Sequence, residues 1–465
     1  MDRRKHGSFR KSHTEDFVFL NLYPASRWIW TAPPRRHRKV HMSTRFENVS
    51  NPSDEADSSP GLAVKHDQGQ HDERQELRSA EDLLLSGCTV DFNNEINPYT
   101  NQLFNELVNK GHDLVALSCN EQEWHRQWAA SIKPNYVHKA LPGFSIHLSG
   151  RRVAHVNLGI FRALSEIKPS RVIIHGIFPS MLFAAIWAIF NKVPFGFYTD
   201  GWALTMPNSL YHLWVRPFIL KHCFAAACSG TKGAAFLRDQ GIDEGRIFVV
   251  PLVPAWAARP GIADFAKRPF DLLWCARMNE TEKNVSFFVD VALVLQARSP
   301  NLKIRLVGQG PCQEAVLQRL TAAGVSFQHD AHLPWDTMEQ VYSQAKLLIF
   351  PSVWEPWGLV TNEAMQCGTP AVVSPQVGAA EDLVISGVNG IVLPLDVKRW
   401  ADTIQRILED ETEWKRLSLA AVRDSHARTI QKSVNEFERF LSKVGFKSGV
   451  SKRVRRTRSC RALNH

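Results

Sequence analysis

The chain has no hydrophobic run long enough to cross a membrane. Its longest apolar run, 181–190, holds ten residues, about half of the ~20 that a membrane-spanning helix needs. The basic N-terminus is not followed by an apolar stretch with a small-residue cleavage site, so we expect no secretory signal. We therefore expect a cytoplasmic protein, or one that lies at the cytoplasmic face of the membrane.

Paired cysteines and zinc-type clusters are also missing. The eight cysteines are scattered, and none belongs to a Cys-x-x-Cys pair or lies in a cluster with histidine. This spacing predicts reduced thiols, with neither a disulfide framework nor a structural metal.

Positive charge is concentrated in the two tails. The net charge is +10, but residues 1–41 hold ten Lys and Arg against three Asp and Glu, and 443–465 hold eight against none. The residues between the tails are therefore net acidic, which disfavours nucleic-acid binding because that function needs a basic folded face. Basic tails favour peripheral contact with anionic lipid, and solvated tails without a partner are the alternative.

The chain is predicted to begin with a disordered extension, 1–81, because residues 43–82 are polar and lack hydrophobic periodicity. Strand-like and helix-like segments then alternate through a first domain, 82–262. Its predicted strands are 83–90, 113–118, 171–175, 195–199, 224–228 and 247–250. Its predicted helices are 98–110, 153–167, 181–191, 211–222 and 231–240. Such alternation predicts a parallel sheet with helices on both faces.

A second alternation fills the domain 263–410, after a proline-bearing linker at 251–269. Its predicted strands are 270–276, 303–307, 325–329, 347–351, 371–374 and 391–393. Its predicted helices are 285–297, 313–323, 335–345, 358–367 and 397–409. The fold class is thus α/β, with two Rossmann-like doubly wound domains facing across a cleft, where ligands usually bind. Helices at 411–445 are expected to cross back to the first domain, before a basic tail at 446–465.

The segment 350–370 carries the strongest chemical pattern. A buried strand ends at Pro351, a turn containing Glu355 follows, and a helix begins near Gly358. The start of a helix offers unpaired N–H groups to an anion, and Gly358 lets a phosphate or a sugar approach the backbone closely. Glu355 in the loop and Glu363 in the helix can address opposite ends of an elongated ligand.

This segment resembles the signature of glycosyltransferase family 4. The resemblance rests on Glu355-x7-Glu363, the following Ala-Met-x-Cys-Gly-x-Pro, and Val377-Gly-Ala-Ala-Glu-Asp-Leu-Val, and it covers 265–410. It implies a retaining enzyme of the GT-B architecture with a nucleoside-diphosphate sugar as donor. Glu355 would contact the donor sugar and steady positive charge at its anomeric carbon, and Glu363 would bind the ribose hydroxyls. Gly358, Leu359 and Val360 would contact the donor at the helix start.

The resemblance also assigns cations to the loop after the first strand of the second domain. Arg277 and Lys283 would grip the donor diphosphate, whose negative charge grows as it departs. The loop that carries Lys283 is one residue longer than the usual spacing in the family. Gly308, in a strand-end Gly-x-Gly-Pro turn, would lie near the nucleotide, although a simple tight turn also explains it.

In the first domain, three polar residues are expected to face the cleft. Asn97 follows the first strand, where family members often have a glycine pair that this chain lacks. Asp200 occupies the strand end where many members carry a catalytic histidine, and a carboxylate cannot copy a neutral imidazole. His175 ends its own strand and is the nearest other candidate, although a histidine at such a position is more often structural.

Together these features predict transfer of a sugar, with retention, to a glycan, lipid-linked or small-molecule acceptor. No metal or other cofactor is expected, because the chain has no Asp-x-Asp pair and the cations can stabilise the leaving group. One alternative is a GT-B nucleotide-sugar hydrolase or epimerase. Another is a non-catalytic module whose basic tails bind membrane or nucleic acid.

Overall fold

A computed structural model describes residues 20–22, 87–121, 132–147, 153–256 and 264–445. Strand β1 (Leu20–Leu22) belongs to the segment predicted to be disordered, and it pairs antiparallel with β5 (Phe144–His147). The rest of 1–81 and the basic tail 446–465 lie outside the described residues. No helix in the described ranges is both long and apolar enough to span a membrane.

The first domain is built on a seven-stranded parallel sheet. Its strands are β2 (Thr89–Asn93), β3 (Leu114–Ser118), β4 (Val137–Ala140), β7 (Arg171–His175), β8 (Phe195–Thr199), β9 (Ala225–Cys228) and β10 (Ile247–Val249). Their order across the sheet is β10-β9-β8-β7-β2-β3-β4. The first strand begins later than the predicted 83–90, and its residues 89–93 are all buried. Central parallel strands are buried on both faces, which accounts for the burial of this strand although Thr89, Asp91 and Asn93 are polar.

In the part of this domain that the structure describes, five helices accompany the sheet: α1 (Pro98–Asn109), α2 (Gly159–Ile167), α3 (Pro179–Phe190), α4 (Leu210–His222) and α5 (Thr231–Asp239). The predicted helix 153–167 is wrong in its first part, because residues 153–156 form strand β6 (Val153–Val156). This strand pairs antiparallel with β5. The partner strand, β5, precedes the segment 153–167 and lies outside it, so the periodicity of that segment alone does not reveal the pairing.

The second domain contains a six-stranded parallel sheet. Its strands are β11 (Phe270–Cys275), β12 (Lys303–Val307), β13 (Ser326–Asp330), β14 (Ala345–Phe350), β15 (Ala371–Val373) and β16 (Gly390–Val392). The order is β13-β12-β11-β14-β15-β16. The accompanying helices are α6 (Val285–Arg298), α7 (Gln313–Ala322), α8 (Met338–Ser343), α9 (Leu359–Gln366), α10 (Ala380–Leu383) and α11 (Val397–Glu409). Strands β11 and β14 are neighbours, so the loops at their carboxyl ends meet at one edge.

Two helices end the described chain, within the helical region predicted at 411–445. Helix α12 (Glu411–His426) packs on α9 of the second domain, whereas α13 (Ile430–Gly445) packs on β8, β9 and β10 of the first. The break falls before Thr429, whose hydroxyl accepts a hydrogen bond from the Lys432 N–H. A threonine at this position favours a new helix start. The chain therefore returns to the first domain.

Candidate active site

Two loops of the second domain meet at the edge of the cleft. The loop after β11 contributes Glu282, whose carbonyl accepts hydrogen bonds from the N–H groups of Val353 and Trp354, at 2.8 and 3.2 Å, in the loop after β14. The same pair of loops brings the Lys283 ammonium into an ion pair with the Glu355 carboxylate. Both side chains are largely buried, with 15% and 11% exposed.

This ion pair neutralises two charges in a partly dehydrated setting. Lys283 also lies over the ring of Phe350, with its ammonium 5.4 Å from the ring centroid. Removing either partner of a buried pair leaves the other charge uncompensated, which is far costlier than losing an exposed pair. A ligand that carries a diphosphate and a sugar hydroxyl can take the place of both partners. Its phosphate oxygens offer an anion to Lys283, and its hydroxyl offers a hydrogen-bond donor to Glu355.

Glycine at 358 is required by the backbone. Its φ is +95°, and a Cβ there would lie 2.8 Å from Val377 Cγ1 and 3.0 Å from Phe350 Cε1. Gly358 precedes α9, and no side chain caps the start of that helix. The start of α9, with Leu359 and Val360, lines the cleft. Its first N–H groups and the positive end of the helix dipole therefore suit a phosphate group.

The second glutamate of the motif is buried in a chain of hydrogen bonds. The Tyr342 hydroxyl donates to Glu363 Oε2 at 2.6 Å, and Cys275 Sγ lies 3.4 Å from the same hydroxyl. Burial raises the pKa of Glu363 to about 7, and the hydrogen bond from Tyr342 partly opposes this rise. Near neutral pH the carboxyl group can therefore donate or accept a hydrogen bond. Tyr342 was not anticipated from the sequence, where nothing distinguishes it from a core tyrosine.

Arg277 and Gly308 lie at the ends of adjacent strands. Arg277 is half-buried and lines the cleft together with Lys283. Gly308 has a φ of +130°, and a Cβ there would come within 2.1 Å of the Ala276 carbonyl oxygen. The close approach of two loops thus requires this glycine, whether or not a ligand binds beside it.

The cleft cavity collects most of the residues that the sequence singled out. It measures about 600 Å³, and its lining includes, from the second domain, Arg277, Lys283, Gly308, Glu355, Gly358, Leu359, Val360 and Glu363. Asp200, at the end of β8, reaches it from the first domain. Residues of both domains therefore line the cavity, and its volume is large enough for a ligand of nucleotide-sugar size.

His175 and Asn97 lie instead in an adjoining cavity of about 380 Å³, whose lining also includes Asp200. The Asn97 side chain caps α1 by accepting the Thr100 N–H at 2.8 Å. His175 Nε2 lies 3.0 Å from the carboxylate of Asp91, and its ring stacks on Tyr198. Asp91 was missed, although an acid between the apolar residues Val90 and Phe92 of strand β2 is a signal.

Within the described residues, no group of three or more His, Cys, Asp or Glu is arranged to hold a metal ion.

Comparisons with known proteins agree with this geometry. Residues 269–410 match the family model described as glycosyl transferases group 1. The chain is 32% identical over 221 residues to the D-inositol 3-phosphate glycosyltransferase of Mycolicibacterium smegmatis, which covers 43% of this chain and 49% of that relative. The chain spans about half the length, or less, of the curated relatives that it matches.

Solved structures extend the likeness to both domains. The Anabaena protein Alr3699/HepE, in complex with UDP and glucose, superposes with a TM-score of 0.59 at 15% identity, covering 76% of this chain and 99% of that one. The lipopolysaccharide outer core galactosyltransferase WaaB, in its apo form, gives a TM-score of 0.56 at 15% identity, covering 75% and 99%. The chain therefore has the GT-B fold, and residues 269–410 of its second domain are similar to group 1 glycosyl transferases.

Proposed function

We propose that this protein is a retaining glycosyltransferase that moves a sugar from a nucleoside-diphosphate sugar to a glycan, lipid-linked or small-molecule acceptor. One observation carries the proposal. The Lys283–Glu355 ion pair, the start of α9 and the Tyr342–Glu363 hydrogen bond all line one cleft between the domains. That set offers a cation, a helix N-terminus and two carboxyl groups in one elongated cavity.

The diphosphate, the ribose and the sugar of the donor would each meet a matching group in the cleft. The diphosphate would meet Lys283, Arg277 and the first N–H groups of α9, which stabilise negative charge as the leaving group departs. The ribose hydroxyls would bind the carboxyl group of Glu363. Glu355 would lie at the sugar end, where a carboxylate stabilises positive charge at the anomeric carbon. The structurally similar Anabaena protein was solved in complex with UDP, which supports a nucleotide donor for this chain.

The reaction exchanges one bond at the anomeric carbon for another. The bond to the diphosphate oxygen breaks, and a bond to the acceptor oxygen forms on the same face of the sugar. The acceptor's hydroxyl proton passes to the departing phosphate. We propose that no metal is needed, because Lys283, Arg277 and the helix start supply the positive charge. The acceptor would enter from the cavity that holds His175.

The test separates transfer from hydrolysis and from simple binding. UDP-, GDP- and ADP-sugars are screened by thermal shift, because a ligand at 100 times its dissociation constant adds about 2.7 kcal/mol of stability. The stabilising donor is then incubated with and without candidate acceptors. We expect acceptor-dependent release of nucleotide and a product with the donor's anomeric configuration by NMR. Release of free sugar alone would show a hydrolase and contradict the proposal.

Substitution of Glu355 sharpens the assignment. In Glu355→Gln the Lys283 ammonium loses its carboxylate partner, so affinity for free nucleoside diphosphate should be unchanged or higher. Turnover should fall by about 100-fold or more, as for other groups that stabilise transition-state charge. The exposed Glu314 of the same domain is the control, and Glu314→Gln should leave both measurements unchanged. A weaker nucleotide affinity in Glu355→Gln would contradict the placement of Glu355 at the sugar end.

A further inference from the structure

A second cavity adjoins the donor cleft and extends into the first domain. It measures about 380 Å³, and the small-molecule sites of proteins range from about 300 to 1,000 Å³. Tyr99, Asp200 and Trp354 line both this second cavity and the donor cleft. An acceptor in the second cavity would therefore lie against a donor in the cleft.

The second cavity is lined by acids and amides. Glu95, which follows β2, and Asp200, at the end of β8, both line it, and three asparagines add amide groups. None of the described residues that line it is Lys or Arg. Glu95 is only 3% exposed, so solvent and salt screen its charge weakly. The cations Arg277 and Lys283 line the donor cleft instead, so an anionic group is matched on the donor side alone.

His175 is held so that its ring can accept a hydrogen bond from a ligand in the second cavity. Its Nε2 lies 3.0 Å from the Asp91 carboxylate, which can only accept, so Nε2 donates and the neutral ring keeps a lone pair on Nδ1. Asp91 is fully buried and also accepts a hydrogen bond from Asn93. The imidazole stacks on Tyr198, with 4.6 Å between the ring centroids. Asp91 is therefore a positioning residue, and His175 is the group that contacts the ligand.

We propose that the second cavity binds the acceptor as a polyol without negative charge, through hydroxyl groups that donate to His175, Asp200 and Glu95. The inference rests on the transfer reaction proposed above. A hydroxyl group supplies an O–H donor to each of these acceptor atoms. An ionised phosphate or carboxylate group supplies only further acceptors, and both acids repel it. The apolar faces of a sugar ring would pack on Tyr99 and Trp354.

The test measures transfer by the full chain to matched pairs of acceptors. The methyl glycosides of glucose, mannose and N-acetylglucosamine are each compared with their 6-phosphates, with the UDP-, GDP- or ADP-sugar that stabilises the protein as donor. We expect transfer to a neutral glycoside, with a kcat/KM for its 6-phosphate that is lower by about tenfold or more, since like charges disfavour binding. Equal or better use of a 6-phosphate would overturn the inference, as would stabilisation by a donor without transfer to any neutral glycoside. Failure of the proposed function is seen separately, because no donor then stabilises the protein, and the inference falls with it.

Asp200→Asn tests the role of charge in this selectivity. Its readout is the ratio of kcat/KM for the neutral glycoside to that for its 6-phosphate, which does not depend on how much total activity the variant keeps. We expect this ratio to fall about fivefold, because one of the two repelling charges is removed, and to fall further in Glu95→Gln/Asp200→Asn. Asp200 is exposed, so the single variant serves if the double variant unfolds. The control is Asp239→Asn, an exposed acid on α5, which should keep the parental ratio. A parental ratio in Asp200→Asn would overturn the inference.

Substitution of the histidine and its partner tests how hydroxyl groups are bound. His175→Ala should raise the KM for the neutral glycoside about tenfold and leave the KM for the donor unchanged, because it removes one hydrogen bond to the acceptor alone. In Asp91→Asn the new amide can donate to Nε2, which moves the ring proton to Nδ1, so the same KM should rise without a change in the KM for the donor. A merely structural effect would change both constants. His222→Ala, at the exposed end of α4, is the control and should match the parent. A parental KM for the glycoside in His175→Ala would overturn the assignment of His175.

Discussion

The Glu363 carboxyl group links folding to proton uptake. Burial raises its pKa to about 7, whereas glutamate in water titrates near 4.5. A carboxyl group whose pKa is raised by folding takes up protons in the folded state, so the stability from this group is present at acid pH and lost as pH rises. Between about pH 4.5 and 7, ionisation of Glu363 therefore destabilises the fold, and above that range the cost is constant.

Glu363→Gln should remove this pH dependence, because the amide stays neutral at every pH and can still accept from Tyr342. We expect the free energy of unfolding of the variant, relative to the parent, to rise by about 2.5 kcal/mol between pH 5 and pH 8, at about 1.4 kcal/mol per pKa unit, because part of the titration lies below pH 5. Urea unfolding at the two pH values measures it. The exposed Glu314→Gln variant should follow the parent at both. If the free energies of unfolding of Glu363→Gln and the parent change equally between the two pH values, burial does not raise the pKa of Glu363.

At the scale of single residues, the sequence predicts positions better than partners. The motif places Glu355, Glu363 and Gly358 on a loop and a helix start because their spacing is local. The ion pair between Lys283 and Glu355 joins two loops 72 residues apart, so the local spacing of residues does not predict it. Gly308 shows the same limit, since the Ala276 carbonyl that excludes a Cβ there belongs to another strand end.

At the scale of elements, the apolar pattern of the sequence predicts the bounds of strands that pair with regular parallel neighbours in the sheet. The strands at 171–175, 195–199 and 303–307 have the predicted bounds. Strands β4 and β5 were not predicted and β6 was assigned to a helix, because these short segments depend on edge pairing rather than on their own composition.

The start of α9 depends on the glycine that precedes it. Gly358→Ala would place a Cβ against Val377 and Phe350 in a left-handed backbone conformation, which costs about 1–2 kcal/mol before any clash. We expect the loop to shift, affinity for free nucleoside diphosphate to fall about tenfold, and the unfolding temperature to drop. Isothermal titration and thermal unfolding measure the two effects.

Gly387 provides a matched control that distinguishes backbone strain from an effect on ligand binding. Gly387 also has a positive φ, +80°, but a Cβ there would meet nothing within 4 Å. Gly387→Ala should therefore lose stability through backbone strain alone and keep the parental nucleotide affinity. Equal affinity in Gly358→Ala and Gly387→Ala would mean that the start of α9 does not bind the diphosphate.

At the scale of the whole molecule, the two domains are joined across the cleft by a few directed contacts. Trp202 Nε1 donates to the Glu355 carbonyl at 3.0 Å. Lys232 donates to the carbonyls of Pro375 and Val377. The bond from Trp202 ties the loop of the ion pair to the first domain, and the bonds from Lys232 tie the loop after β15 to it. Helix α13 also packs on the first domain. The relative position of the domains therefore bears on the geometry of Glu355.

Asp382 supplies the most specific of these contacts. Gly230 precedes α5 and has no side chain to cap it, so Asp382 of the other domain accepts the Thr231 N–H at 3.0 Å and its hydroxyl at 2.7 Å. Two hydrogen bonds to a charged group contribute about 1.5–3 kcal/mol each when fully formed, and less at this half-exposed position. Asp382→Ala should therefore loosen closure, increase the radius of gyration in X-ray scattering and lower turnover about tenfold. Affinity for free nucleotide should stay unchanged, because the second domain supplies the proposed nucleotide contacts. Asp402→Ala, which removes a surface ion-pair acid on α11, should change none of the three. Parental scattering and turnover in Asp382→Ala would show that the interdomain cap does not control closure.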